Sequence, residues 1–104
     1  MVKFIESLDE FNNVLTTEQG LVVFDFTATW CGPCRVIGPE FERLSTVYTN
    51  AKFYKVDVDD VSDVAEKCGI RAMPTFQFYK NGKKVAEFSG ADKQKLEKII
   101  AEHC

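Results

Sequence analysis

Apolar and polar positions alternate between two periods along this chain, and the switches between them mark its elements. Leu21-Val22-Val23-Phe24-Asp25-Phe26 is almost continuously apolar, the pattern of a central strand covered by helices on both faces. Before it, a short strand near Val2 to Ile5 leads into Ser7-Leu8-Asp9-Glu10, which reads as a capping box opening a helix with Leu8, Phe11 and Leu15 on one face. Thr16 to Gly20 ends that helix. After the central strand, Trp30-Cys31-Gly32-Pro33-Cys34 begins a helix running to about Tyr48, which Pro39 should kink by removing the bond to the Arg35 carbonyl. Phe53 to Val58 is a third strand, and Val61, Val64, Ala65 and Cys68 form a helical stripe stopped by Gly69. Thr75 to Lys80 and Lys83 to Ser89 flank Asn81-Gly82, a strong hairpin signal. Leu96, Ile99, Ile100 and His103 make the inner face of a last helix starting near Asp92. The order β-α-β-α-β-α-β-β-α predicts an α/β fold, a mixed sheet sandwiched by helices.

Composition narrows the class. With 104 residues, 45% of them apolar, one domain spanning residues 1–104 is expected. A net charge of -3, with Lys and Arg scattered among Asp and Glu, disfavours a nucleic-acid partner. The first residues lack the apolar stretch of a secretory signal, and no run is long enough to cross a bilayer, so no membrane role is expected and the location should be cytoplasmic, with the nucleus also open. Thiols there are normally kept reduced, so four cysteines point to catalysis, metal binding or burial rather than to a structural disulfide framework.

Cys31 and Cys34 stand at i and i+3 near a helix start, on one face and close enough to join. Unpaired N–H groups and the helix dipole at that end favour an anion, which makes Cys31 the nucleophile and Cys34, about a turn deeper, the resolving thiol. Cys31 would attack a partner's disulfide, and Cys34 would then attack Cys31 to release the reduced partner. The uncharged spacer Gly32-Pro33 offers no cation to stabilise the reduced form, so the pair should lie toward the reducing end of the range, and Pro33 stiffens the loop at little cost in hydrogen bonding. Half a zinc site and a pair of inert core thiols are the alternatives. Zinc needs about four ligands, whereas Cys68 and Cys104 stand far apart and His103 is the only histidine.

Asp25-Phe26, Ala28 to Cys34, Val56-Asp57-Val58-Asp59-Asp60, Met73-Pro74-Thr75-Phe76 and Phe88-Ser89-Gly90-Ala91 together resemble the thioredoxin family, closest to its cytosolic eukaryotic type, over almost the whole chain. The resemblance implies the thioredoxin fold, a central mixed five-stranded sheet between four helices. It further implies a thiol-disulfide oxidoreductase that reduces protein disulfides, binds no cofactor, and draws electrons from NADPH through a separate thioredoxin reductase. Asp25, a carboxyl in an apolar strand with an expected raised pKa, would be the proton acceptor serving Cys34. Lys55 matches a lysine near that acid, although a strand lysine more often simply faces solvent. The Met73-Pro74 bond would be cis, and Trp30, Gly32, Pro33, Met73, Pro74, Gly90 and Ala91 would line a shallow surface for client proteins.

Cys68 should face the core as a small apolar residue, while Cys104, as the last residue, should be an exposed thiol. A monomer is expected, with a disulfide-linked dimer also open. Thr27 and Arg35 depart from many family members and bear on client preference. An isomerase or oxidant of the same fold is the rival enzyme, and a partner-binding module switched by redox state is the rival from another class.

Overall fold

The computed structural model describes residues 2–104. The elements are β1 (Val2–Phe4), α1 (Leu8–Thr17), β2 (Leu21–Thr27), α2 (Gly32–Val47), β3 (Lys52–Asp57), α3 (Ser62–Lys67), β4 (Thr75–Lys80), β5 (Lys83–Ser89) and α4 (Lys93–His103). The strands form one five-stranded sheet in the order β1-β3-β2-β4-β5. β3 pairs in parallel with β1 and with β2, whereas β4 pairs antiparallel with β2 and with β5. The sheet is therefore mixed, with β2 near its middle and the hairpin at one edge.

Period-two alternation along β2 divides the core into two layers. Leu21 and Val23 point to one face, where they meet Ile37, Phe41 and Leu44 of α2 and Leu96 and Ile100 of α4. Val22, Phe24 and Phe26 point to the other, against Phe11 and Val14 of α1 and Val64 of α3. Because both faces are covered, a polar side chain in the middle of β2 is buried. Asp25 is the one charged residue in that strand, and it shares its face with Leu21 and Val23, beneath α2.

Side-chain caps fix several helix starts. Ser7 Oγ accepts from the Glu10 N–H at 3.0 Å, as a capping box requires, but the Glu10 carboxylate accepts from the N–H of Glu6 at 2.7 Å rather than from Ser7. The same carboxylate pairs with Lys3 of β1. Asp92 caps α4 through the Lys95 N–H at 3.0 Å. Asn81 and Gly82 both take positive φ, 52° and 78°, the conformation that a two-residue hairpin turn demands and that Gly supplies without steric cost.

The sequence reading and the structure differ in detail. The third strand lies one residue earlier than Phe53 to Val58, and the stripe through Cys68 yields a helix of only six residues. α2 spans 16 residues with Pro39 inside it and is capped at Tyr48, as expected. His103 is only half-buried, and the inner face of α4 is made by Leu96 and Ile100 with Ile99 partly buried against the same core.

Candidate active site

The cysteine segment occupies the junction where β2 delivers the chain to α2. Cys31 is the N-cap residue of α2, with extended backbone at φ -90° and ψ 111°, and Gly32 and Pro33 form its first turn. A missing N–H matters little there, since no preceding carbonyl awaits it. Cys31 and Cys34 are joined as a disulfide, with Cα atoms 5.3 Å apart. The Cys34 N–H donates to Cys31 Sγ at 3.2 Å, so the sulfur takes the place that a Ser or Asp oxygen takes at an ordinary N-cap. In the reduced protein the same N–H and the helix dipole favour negative charge on Cys31.

The two sulfurs face different surroundings although exposure does not separate them, Cys31 being 5% and Cys34 4% exposed. In the oxidised pair both are covered. Cys31 Sγ lies 3.7 Å from the Met73 carbonyl oxygen, and the Met73–Pro74 peptide bond is cis. Cys34 instead lines a cleft of about 550 Å³ on the other side, together with Ala28, Arg35, Gly38, Glu42 and Lys55.

The residues beside Cys31, namely Trp30, Gly32, Pro33 and Met73, carry no charge. Trp30 is 64% exposed, so it does not belong to the core, and its Nε1–H donates to Asp59 Oδ2 at 2.9 Å. Met73 is half-buried and packs against the cysteines, while Gly90 and Ala91 are exposed. The Gly90 N–H donates to the Pro74 carbonyl at 2.9 Å, tying the last two segments together. Gly90 adopts φ 104°, a backbone that residues with a Cβ rarely adopt.

Asp25 is buried, and its Oδ1 has no hydrogen-bond partner. Burial pushes its carboxyl up to about 7, against a weaker opposing pull from the Lys55 ammonium and a small push from Glu42. Lys55 is its register partner on β3. Its side chain is only 18% exposed and lies 3.5 Å from Glu42, so it turns into the cleft beside α2 rather than into solvent. The strand alternation explains this, since residues 25 and 55 share the α2 face of neighbouring strands. Thr27 and Arg35 also line this cleft, whereas Trp30, Met73, Pro74, Gly90 and Ala91 do not. Arg35 is held there by donation from Nη1 to the Thr29 carbonyl at 2.8 Å. Thr27 and Arg35 thus lie beside Cys34, away from the surface around Cys31.

The family model for thioredoxin matches residues 2–102. The chain belongs to the thioredoxin family. It is 56% identical to the mouse (Mus musculus) thioredoxin over 104 residues, covering 99% of each chain, and 56% identical to the rat (Rattus norvegicus) thioredoxin over 103 residues, covering 98% of each. Among solved structures, the thioredoxin of Plasmodium falciparum superposes with a TM-score of 0.94 at 44% identity, covering 98% of this chain and 99% of that one. That of Fasciola hepatica superposes with a TM-score of 0.95 at 41% identity and the same coverage. As a family member the protein is a thiol-disulfide oxidoreductase, a protein-disulfide reductase whose redox-active centre is the Cys31–Cys34 pair. Its partners are disulfide-containing clients and, as for thioredoxins generally, a reductase.

Two residues, Gln77 and Glu42, gave their roles only in the structure. Gln77 is fully buried on β4, where it donates to the Cys68 carbonyl at 3.1 Å and to Glu87 at 3.0 Å and accepts from the Tyr79 hydroxyl at 2.8 Å. A glutamine in the run Thr75-Phe76-Gln77-Phe78 was the available signal. Cys68 is half-buried and packs at the border of the α1 and α3 layer, and burial raises its thiol pKa, which makes it a poor nucleophile. Cys104 is exposed. Glu42 gave no sequence signal. Among the described residues no three His, Cys, Asp or Glu side chains converge as a metal site would require, and no helix is long and apolar enough to cross a membrane.

Proposed function

We propose that Cys31 is the attacking thiolate, Cys34 the resolving thiol and Asp25 the acceptor of the Cys34 proton. The observation carrying the assignment is the Cys34 N–H donated to Cys31 Sγ at the head of α2, a contact that lowers the energy of a thiolate on Cys31 and has no counterpart for Cys34. The Cys31 thiolate attacks one sulfur of a client disulfide, forming a Cys31–client disulfide and expelling the other client sulfur as thiolate. Asp25 takes the proton of Cys34, the Cys34 thiolate attacks Cys31 Sγ, and the second client thiolate leaves. Two electrons have passed to the client, and the Cys31–Cys34 disulfide remains.

A buried carboxyl with a pKa near 7 is matched to that proton transfer, since an acceptor works best when its pKa lies near the working pH. Gly32 and Pro33 hold the thiols one turn apart without adding charge. Trp30, Met73, Pro74, Gly90 and Ala91 form the client surface, where an extended segment pairs with the backbone beside Cys31. The disulfide is reduced again by a separate thioredoxin reductase using NADPH. The chain acts as a monomer in the cytoplasm, and Cys104 supplies any disulfide link between copies. No resident cofactor or metal is needed.

The test couples NADPH oxidation to reduction of a generic disulfide protein through a thioredoxin reductase, with the potential of the pair measured against glutathione. Turnover with a potential at or below the cytosolic poise supports the reading, while a potential well above that poise assigns the chain to the oxidants or isomerases.

A further inference from the structure

Lys55 is confined on several sides within the cleft beside Cys34. Its Nζ lies 3.5 Å from Glu42 Oε2 and 5.8 Å from the centre of the Phe4 ring. From above, Gly38 contributes no side chain, and a Cβ there would stand 3.8 Å from Nζ. Phe4 holds an ammonium over its ring face, an attraction of the cation–π kind. Asp25, the register partner of Lys55, nonetheless keeps an unpartnered Oδ1, so the ammonium has not closed onto it. The ion pair that Lys55 makes among the described residues is with Glu42.

We infer that Glu42 is a positioning residue for the proton-transfer step: by drawing the Lys55 ammonium to the mouth of the cleft, it withholds that charge from Asp25 and so sets the pH at which Asp25 accepts a proton. The inference rests on the reading of Asp25 as the acceptor for Cys34 and adds the residue that tunes it.

The charges facing Asp25 are few. β3 presents Lys55 and, farther along the same face, Asp57; α2 presents Arg35 and Glu42 besides Cys34, and β1 offers only the Phe4 ring. On β4 the residue opposite Asp25 is Phe76, which is apolar. Arg35 is engaged by the Thr29 carbonyl, which leaves Lys55 as the cation able to reach Asp25 and Glu42 as the anion that holds it back. Glu42 acts in two ways with the same sign. Its own negative charge disfavours a second carboxylate nearby, and its ion pair keeps the stabilising ammonium at a distance. The first contribution is present in the balance at Asp25, where Lys55 favours the carboxylate and Glu42 opposes it; the second rests on the Lys55–Glu42 contact.

Glu42→Gln removes the charge with little change of shape at a side chain that is 51% exposed, so the fold should tolerate it. The Asp25 carboxyl is followed by NMR titration of the oxidised protein. In Glu42→Gln the midpoint should fall by at least about half a pH unit, and in Lys55→Gln it should rise. The fall caused by Glu42→Gln should be smaller in the Lys55→Gln background, because the route through the ammonium is then absent. An unchanged or higher midpoint in Glu42→Gln, or an equal fall in both backgrounds, overturns the inference. The resolving step is read separately, from the pH dependence of mixed-disulfide release, which should move with the midpoint. If Asp25→Asn leaves the rate and pH profile of that release unchanged, the acceptor reading fails, whereas the titration result still decides the role of Glu42.

Discussion

Asp25 and Lys55 face each other as Cα partners across β2 and β3, yet the Asp25 carboxyl oxygen Oδ1 has no hydrogen-bond donor. The strand pairing brings opposite charges onto one face, and the ion pair of Lys55 with Glu42 then keeps them from closing. The carboxyl is left in an apolar layer, with burial as the leading cause of its raised pKa.

That arrangement makes stability depend on pH with a definite sign. In the unfolded chain Asp25 ionises near 3.8, and in the folded protein near 7. Between those values the folded state holds a proton that the unfolded state has lost, so raising the pH favours unfolding. The contribution is fully present below about 4, declines through the interval, and is gone above about 7. At 1.36 kcal/mol per pH unit the interval is worth up to about 4 kcal/mol. Asp25→Asn should match the wild type in guanidinium unfolding near pH 4 and exceed it near pH 8. An equal difference between the two proteins at both pH values would rule out Asp25 as the source.

Trp30 separates surface from core. At 64% exposure its loss should cost less than about 1 kcal/mol of stability. As an aromatic anchor for clients it should matter more, and Trp30→Ala should lower kcat/KM for a protein disulfide about tenfold while leaving reduction of a small-molecule disulfide nearly unchanged. A loss of stability on the scale of a core residue, with client reduction intact, would return Trp30 to a structural role.

Phe41 gives the opposite profile. It is fully buried between the sheet and α2, with its ring centroid 5.3 Å from that of Phe53 and 5.9 Å from that of Phe76. Phe41→Ala should cost about 3 to 5 kcal/mol in denaturant unfolding. A change below about 1 kcal/mol would mean that the α2 layer repacks around the gap.

The sequence carried what depends on local period and left out what depends on strand order. The near-continuous apolar run of β2, the Asn81-Gly82 hairpin, the Ser7 and Asp92 helix starts and the helix headed by Cys31 are each encoded within about a dozen residues, and each formed close to its expected place. The insertion of β3 between β1 and β2 has no local signature, and it is this insertion that sets Lys55 beside Asp25. Glu42 looked like any charged residue of α2, because its partner comes from another strand. Gln77 was overlooked for the same reason: its partners sit at Cys68, Tyr79 and Glu87. The proposed order of attack rests on helix chemistry alone, whereas the approach of Met73 to Cys31 came only through family resemblance.

The central claim, that Cys31 attacks and Cys34 resolves, is tested most directly by trapping. Cys34→Ser incubated with a disulfide-containing client should accumulate a covalent complex whose peptide map joins the client to Cys31, and Cys31→Ser should form none and reduce nothing. Equal trapping through Cys34 in the Cys31→Ser protein, or client reduction that persists without Cys31, would contradict the account.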